Sequence, residues 1–208
     1  MRSRGEIVGR AGEIGEIERG LDNAKAGQGR LYVIAGEGGI GKSRLATEIA
    51  RLALDRGFIV AWGRCAEVGG APAFWPWIQV LRAIRRTRAR GSSQDGDGSA
   101  SFERLLPRLR GGDAERAAVD PTQARLALFE DVVEALREVA EHAAPLAILF
   151  EDLHAADPSS LALVHFLARE LVDAPILVLV TYRDQEIRRH ADRGEGVQRI
   201  AREAVYLP

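Results

Sequence analysis

The chain of 208 residues is 46% hydrophobic and 28% charged, a composition typical of a folded protein with one sizeable core. A formal net charge of -1 excludes a global field that would attract nucleic acid or an anionic membrane, so such a partner would have to bind locally. The single cysteine, Cys65, excludes an internal disulfide. The N-terminal residues lack the apolar run of a signal peptide, and no segment reaches the length of about 18 apolar residues that a membrane span needs, so we expect a cytoplasmic protein.

Short apolar runs rich in β-branched residues alternate with longer stretches of helical periodicity. This alternation predicts an α/β fold with a mainly parallel sheet and helices on its faces. Four runs predict strands, and the last run is a weaker fifth: Leu31–Ala35, Phe58–Trp62, Leu146–Phe150, Ile176–Thr181 and Val205–Leu207. Apolar stripes between them predict helices over Ser43–Arg56, over Thr122–His142 and from Pro158 to Leu171, the last with Asp157 as its N-cap.

One region interrupts the alternation. Residues 90–112 begin with a stretch rich in Gly, Ser and Asp, which predicts a flexible loop, and continue into a short amphipathic segment. Too few residues precede this region to bury a separate core. We therefore expect one domain over residues 1–208, with a helical and flexible insertion at about residues 70–120.

Aromatic and basic residues are concentrated at the start of this insertion. The segment Phe74–Trp77, FWPW, is interpreted as an anchor that fixes the insertion to the core, and the alternative is an exposed docking or stacking surface. The arginines from Arg82 to Arg90 are interpreted as the solvated face of a helix, and the alternative is a contact with nucleic acid.

A glycine-rich segment stands between the first predicted strand and the first predicted helix. GEGGIGKS matches the phosphate-binding pattern G-x-x-x-x-G-K-[ST] through Gly36, Gly41, Lys42 and Ser43. Glycines let successive backbone N–H groups point at phosphate oxygens, and the start of the helix adds its positive end. Lys42 would contact the β- and γ-phosphates, and the Ser43 hydroxyl would bind Mg²⁺. The segment predicts a nucleotide site, and the alternative is a glycine-rich connection without a ligand.

Two carboxylates, Glu151 and Asp152, follow the third predicted strand. The carboxyl ends of parallel strands lie at one edge of a sheet, so we expect both acids on the same edge as the glycine-rich segment. Acids in that place can hold Mg²⁺ through water and polarise an attacking water molecule. The alternative is a hydrophobic strand that ends in acidic residues without such a role.

Four segments together resemble the nucleotide-binding core of the STAND class of P-loop ATPases, which is related to the AAA+ proteins. They are VGRAGEIGEIERGL, GEGGIGKSRL, LFEDLHAADPSSL and LVTYRD, in the family's order. In particular they are similar to the ATPase domain of large LuxR-type, maltose-activator-like transcriptional regulators, a domain also found fused to adenylate cyclase and protein kinase modules. The resemblance runs from Val8 to Leu207 and is weakest between Arg82 and Ala118. It implies a three-layer α/β/α core with a five-stranded sheet in the order 5-1-4-3-2.

The resemblance also implies roles for individual residues. Val8, Gly9 and Arg10 correspond to an N-terminal box whose backbone lies against the adenine. Glu151 corresponds to the residue that contacts Mg²⁺ and Asp152 to the catalytic base. Many ATPases carry an aspartate first and a glutamate second, so the division of roles between the two acids is left open.

A sensor is implied at the end of the fourth strand. Thr181 and Arg183 correspond to it, and Arg183 would reach the γ-phosphate, for which a guanidinium offers bidentate contacts. The alternative is that Arg183 only pairs with Asp184 on the surface. His154 and Asp157 belong to the family's L-H-x-A-D segment. Two alternatives are open for the histidine: it relays polarity to Asp152, or it is a loop histidine satisfied by neighbouring carboxylates.

The candidate site therefore has catalytic, nucleotide-binding and metal-binding members. The proposed catalytic residues are Lys42, Glu151, Asp152, Thr181 and Arg183; the nucleotide-binding residues are Val8, Gly9, Arg10, Gly36, Glu37, Gly38, Gly39, Ile40, Gly41, Lys42, Ser43 and Arg44; and the Mg²⁺ ligands are Ser43 and Glu151.

The expected function is a regulatory switch that binds ATP or ADP with Mg²⁺ and hydrolyses ATP slowly. The alternatives are a nucleotide-binding structural module with negligible hydrolysis, the ATPase module of a cyclase- or kinase-linked signalling protein, and a scaffold that binds no nucleotide. In the family, a helical lid and output domains follow this core, and none is recognisable here. We therefore expect a piece of a larger transcriptional regulator that forms homo-oligomers through this domain and contacts DNA only through a missing C-terminal domain.

Overall fold

The computed structural model describes residues 9–65, 72–91, 98–110, 120–189 and 191–207, and the structural statements below concern these residues. Their elements, in chain order, are α1 (Ala11–Lys25), β1 (Arg30–Ala35), α2 (Lys42–Asp55), β2 (Ile59–Arg64), α3 (Trp75–Gly91), α4 (Gly98–Leu109), α5 (Pro121–His142), β3 (Leu146–Glu151), a 3₁₀ turn (Leu153–Ala155), α6 (Pro158–Arg169), β4 (Ile176–Tyr182), α7 (Asp184–Arg189), α8 (Ala191–Arg202) and β5 (Val205–Leu207).

The strands form one five-stranded sheet in the order β2-β3-β4-β1-β5, and every neighbouring pair is parallel. This confirms the predicted α/β fold and the order 5-1-4-3-2, which is the same order counted from the other side. In the register, Ala35 of β1 lies opposite Tyr182 of β4, and Phe150 of β3 lies opposite Val180. The C-terminal ends of β1, β3 and β4 therefore meet at one side of the sheet, here called the carboxyl edge.

Helices cover both faces of the sheet. Alternate residues of the central strands point to opposite faces, so Ile148 and Val178 join one hydrophobic cluster, and Leu149 and Leu179 join the other. Helices α1 and α2 supply the second cluster, while helices from α3 onward supply the first. Both faces are buried, which explains why β3 and β4 are continuous apolar runs.

The predicted strands are confirmed, and the helix ends differ slightly. Helix α2 begins at Lys42, one residue earlier than predicted, because Gly41 takes the N-cap position with a left-handed φ of 95°. Helix α6 ends at Arg169, so the prediction that it continues to Leu171 is wrong. Its start is confirmed, since the Asp157 side chain accepts the Ser160 N–H. Helices α1, α7 and α8 were not predicted.

The anchor interpretation of the FWPW segment is confirmed for Trp77. This side chain is fully buried, its ring centroid lies 5.0 Å from that of Phe150, and its indole N–H donates to the Ser160 carbonyl at 3.2 Å. Just before it, the Phe74 N–H donates to Asp157 Oδ2 at 3.1 Å. Helix α3 is therefore fixed to the core beside the turn that follows β3.

The arginine-rich end of α3 has the predicted arrangement. Val80, Leu81 and Ile84 are buried. Arg86 and Arg90 are exposed, as expected for a solvated face, whereas Arg82, Arg85 and Arg88 are half-buried. The loop was predicted to begin at residue 90, but α3 continues to Gly91; residues 92–97 of the predicted loop lie outside the described part of the chain. None of the described helices is both apolar enough and long enough to span a membrane.

Candidate functional site

The glycine-rich segment forms a loop, residues 36–41, between β1 and α2 at the carboxyl edge. Gly39 and Gly41 have φ angles of 88° and 95°, in the left-handed region that favours glycine. A Cβ atom added at Gly38, Gly39 or Gly41 would have no heavy atom within 4 Å, so the surface of the loop is open. Residues 38 and 39 form a turn within the loop, and the amide nitrogens of residues 37–41 make no backbone hydrogen bond to a described residue outside the loop. The loop therefore presents backbone N–H groups at an open surface.

Lys42 extends back into this loop. Its Nζ donates to the carbonyl oxygens of Gly36 at 2.9 Å and Glu37 at 2.7 Å, and the residue is only 8% exposed. Burial lowers the pKa of Lys42, and the positive charge of Arg183 lowers it further, while the carboxylates of Asp152 and Asp184 oppose the change. A partly dehydrated ammonium group thus lies within electrostatic reach of the groups at the ends of β3 and β4.

The other predicted nucleotide-binding residues lie in the loop, on the first turn of α2 and directly before α1. Ile40 is 44% exposed, and Ser43 and Arg44 are exposed on the first turn of α2. Gly9 and Arg10 lie directly before α1, where the Arg10 guanidinium donates to Glu13 Oε1 at 2.6 Å and lowers the pKa of Glu13. Val8 lies outside the described residues.

Glu151 ends β3 and is held by the neighbouring strand. The Arg64 Nε donates to Glu151 Oε2 at 2.9 Å, and the Arg64 guanidinium lies 5.6 Å from the ring centroid of Trp62. The Arg64 side chain is 68% exposed, so this ion pair is readily exchanged for other partners of the carboxylate. Sequence reasoning missed Arg64; the available signal was a basic residue two positions after a predicted edge strand.

Asp152 leaves the strand in an unusual conformation. Its φ of 54° and ψ of 47° lie in the left-handed region, and its N–H donates to Thr181 Oγ1 at 3.2 Å. Thr181 is buried at the end of β4, and Arg183 Nε lies 3.7 Å from Asp152 Oδ1. The two predicted acids and the two predicted sensor residues are therefore neighbours at the carboxyl edge.

A further side-chain contact joins the end of β4 to the glycine loop. Gln185, in α7, donates from Nε2 to Glu37 Oε1 at 2.9 Å. Sequence reasoning missed Gln185, and no local pattern marks it, since the contact joins residues 148 positions apart. This contact places α7 directly beside Glu37, at the start of the loop.

The polar groups of the site are suited to a phosphate group that is bound together with Mg²⁺. Within the described part of the chain, no group of three or more His, Cys, Asp or Glu side chains could hold a metal ion. Mg²⁺ is commonly bound by one or two carboxylates together with water and phosphate oxygens. The Glu151 carboxylate and the Ser43 hydroxyl are oxygen donors of the kind that Mg²⁺ takes, and the loop N–H groups and Lys42 are donors of the kind that bind phosphate oxygens.

One protein family and several known proteins are similar to this chain. The chain matches the family described as "AAA ATPase domain" over residues 6–180. An uncharacterized protein of Rhizobium meliloti (strain 1021) is 29% identical over 195 residues, covering 88% of this chain and 19% of that protein. The chain thus spans about a fifth of the length of the curated relative that it matches.

Among solved structures, the ORC2 protein of Aeropyrum pernix, determined in ADPNP and ADP complexes, is similar to this chain with a TM-score of 0.51 and 17% identity. The similarity covers 97% of this chain and 47% of that one. At this identity the likeness shows the fold alone.

Proposed function

The chain belongs to the AAA ATPase domain family, and from this premise we propose that it is a switch domain that binds ATP with Mg²⁺ and hydrolyses it slowly. One observation carries the proposal: the open loop holds the buried Lys42 ammonium group through two of its carbonyl oxygens, and the charges of Arg183 and Asp152 act on that ammonium group. These groups come from three separate segments of the chain, and they meet at the edge where parallel α/β sheets bind ligands.

Binding would begin at the glycine loop. The N–H groups of residues 37–41 would receive phosphate oxygens, and Lys42 would exchange the carbonyl oxygens of Gly36 and Glu37 for the β- and γ-phosphates. Gly9, Arg10 and Val8 would contact the adenine. Bound Mg²⁺ would neutralise charge on the phosphate oxygens, held by the Ser43 hydroxyl and by Glu151.

Hydrolysis would use the groups at the ends of β3 and β4. Asp152 would accept a proton from a water molecule as the water oxygen bonds to the γ-phosphorus; the bond to the bridging oxygen breaks, and ADP leaves with that oxygen. Arg183 would stabilise the charge on the γ-phosphoryl oxygens. The side chain of Asp152 is one methylene shorter than a glutamate and lies beside Arg183, so we expect slow turnover.

The resemblance of four segments to LuxR-type regulators supports a place in a larger cytoplasmic regulator. In this proposal, ATP binding favours homo-oligomerisation of the complete protein, hydrolysis resets it, and DNA is contacted by a different domain. A cyclase- or kinase-linked signalling protein is the alternative context, because the same domain type is found there.

A second function is favoured by the ion pairs of the two acids. Arg64 lies 2.9 Å from Glu151, and Arg183 lies 3.7 Å from Asp152. If both pairs persist when nucleotide is bound, the domain would hold the nucleotide as a structural ligand without hydrolysing it.

Phosphate release by the 208-residue chain separates these functions. With MgATP, we expect turnover below about 1 s⁻¹, at the low end for enzymes. Asp152→Asn should abolish release while ATP affinity stays within about twofold, because the loop and Lys42 are unchanged. The exposed acid Asp173, on the connection before β4, offers a control in Asp173→Asn. ATP binding without release by the wild type would favour the structural module, and equal release by Asp152→Asn would contradict the assigned base.

A further inference from the structure

His154 is a buried histidine beside the proposed site. It is 6% exposed and lies in the 3₁₀ turn Leu153–Ala155, which packs against β4 and α8. Its Nδ1 lies 3.4 Å from the backbone nitrogen of Arg183, whose N–H donates to it. A ring nitrogen that accepts a hydrogen bond carries no proton, so the neutral ring has its proton on Nε2.

The contact lies beyond the last pairing between β3 and β4. The β3–β4 ladder ends with Phe150 opposite Val180, so backbone pairing between these two strands goes no further. After it, side chains join the two segments: Thr181 Oγ1 accepts the Asp152 N–H at 3.2 Å, and His154 Nδ1 accepts the Arg183 N–H. In the first bond the donor follows β3 and the acceptor lies in β4. In the second bond the donor follows β4 and the acceptor follows β3.

The Asp152–Arg183 ion pair alone would fix this geometry poorly. The two side chains are 35% and 37% exposed and the Nε–Oδ1 distance is 3.7 Å, so solvent weakens their attraction. The backbone of Arg183 has a second determinant, because the hydrogen bond from its N–H orients the peptide plane next to the Cα that carries the side chain. A misplacement of about 1 Å in a catalytic group can lower a rate by about 100-fold.

We propose that His154 is a positioning residue: its Nδ1 holds the backbone N–H of Arg183 and thereby sets the position of the Arg183 guanidinium relative to Asp152. The effect on turnover rests on the proposed function. The hydrogen bond itself does not, so the two can be tested separately.

Three substitutions at this position separate hydrogen bonding from packing. His154→Asn places an amide oxygen where Nδ1 stands and keeps the acceptor. His154→Gln moves the acceptor one atom further out, and His154→Leu keeps comparable bulk with no acceptor. We expect kcat for MgATP to fall about tenfold in the Leu and Gln variants and to stay within about threefold of wild type in the Asn variant. KM should stay within about twofold in all three, because Lys42 and the loop are unchanged.

Amide hydrogen exchange of Arg183, measured by NMR on the 208-residue chain, tests the hydrogen bond without any turnover. Exchange should be at least about tenfold faster in His154→Leu and His154→Gln than in the wild type and His154→Asn. The Ser160 amide, which donates to Asp157 Oδ1, is the internal control and should be unchanged. Should His154→Leu fail to fold by circular dichroism, the comparison of Asn with Gln decides.

The outcomes separate the two proposals. A wild-type chain that binds ATP but releases no phosphate would defeat slow hydrolysis, while the exchange of Arg183 would still decide the role of His154. Equal Arg183 exchange in the Asn and Gln variants would overturn the positioning role. So would a loss of kcat that is the same in all three variants, since packing alone would then account for it.

Discussion

Replacing Asp152 by glycine should stabilise the fold, although it removes an acid that the proposed hydrolysis requires. The φ of 54° and ψ of 47° at Asp152 lie in the left-handed region. An L-residue there costs about 1–2 kcal/mol relative to the right-handed helical conformation, and Asp and Asn tolerate it better than most. Glycine has no Cβ and adopts this conformation without that cost.

The size of the gain follows from the contacts of Asp152. The Arg183 pair, at 3.7 Å between partly exposed side chains, contributes at most about 0.5 kcal/mol and is lost. The bond from the Asp152 N–H to Thr181 Oγ1 is made by the backbone and survives every substitution. We expect Asp152→Gly to gain about 0.5 kcal/mol, Asp152→Ala to lose about 1 kcal/mol, and Asp152→Asn to stay within about 0.3 kcal/mol of wild type.

Urea and thermal unfolding of the three variants measure this order. The gap of about 1.5 kcal/mol between the Gly and Ala variants corresponds to about 3–6 °C in Tm for a chain of this size. Glu134, exposed within helix α5, is the control: there the alanine variant should be more stable than the glycine variant by about 1 kcal/mol. If Asp152→Ala were as stable as Asp152→Gly, the inferred backbone strain at this position would be refuted.

Other parts of the fold give independent tests. Trp77→Phe keeps a ring against Phe150 but loses the indole N–H bond to the Ser160 carbonyl of α6. This change should lower the free energy of unfolding, measured in urea, by about 2 kcal/mol. An unchanged urea midpoint would contradict the anchor role. Gly29→Ala would bring a Cβ within 2.5 Å of two backbone carbonyl oxygens and should lower the free energy of unfolding by about 3 kcal/mol. Gly38→Ala places its Cβ in open space and should lower it by under about 0.5 kcal/mol. Similar losses in the two variants would argue against the close packing at residue 29. Burial, with nearby carboxylates, raises the pKa of Cys65 to about 12. At pH 8, iodoacetamide should therefore alkylate the folded chain at least about 100-fold more slowly than the urea-unfolded chain. Equal rates would count against the raised pKa.

The central strands could be predicted because burial leaves a simple trace in the sequence. Strands β3 and β4 are covered by helices on both faces, so Leu149 and Val178 stand in uninterrupted apolar runs. The glycine loop could be predicted because its residues are contiguous, and a contiguous pattern requires no knowledge of the fold. The open surface of the loop follows from the same residues, because its glycines carry no side chains.

Two of the three missed helices, α1 and α8, contain glycines that sequence rules count as unfavourable, and the third, α7, is only six residues long. In α1, a Cβ at Gly20 would lie 2.3 Å from the hydroxyl oxygen of Tyr32, and in α8 a Cβ at Gly194 would lie 2.7 Å from the carbonyl oxygen of Ile187. Gly20 allows α1 to approach β1 closely, and Gly194 allows α8 to approach α7 closely. Local propensity treats the same residues as helix breakers, so the sequence alone could not reveal these helices.

The missed site contacts depend on sheet register. Arg64 reaches Glu151 across 87 positions of sequence, because β2 lies beside β3, and Arg64 is opposite Glu151 in the ladder. Gln185 reaches Glu37 because β4 lies beside β1. Motifs located each segment, but only the order of the strands decides which side chains meet between them.

The central claim is that the loop at residues 36–41 and its ammonium group bind the phosphates of ATP. The chain has two lysines, Lys42 in the loop and Lys25 exposed at the end of α1, so Lys25→Ala is a matched control for Lys42→Ala. Calorimetric titration with MgATP should give saturable binding for the wild type and Lys25→Ala, with dissociation constants within about twofold, and at least about 100-fold weaker binding for Lys42→Ala. Equal affinity of the two variants, or no binding by the wild type, would contradict it.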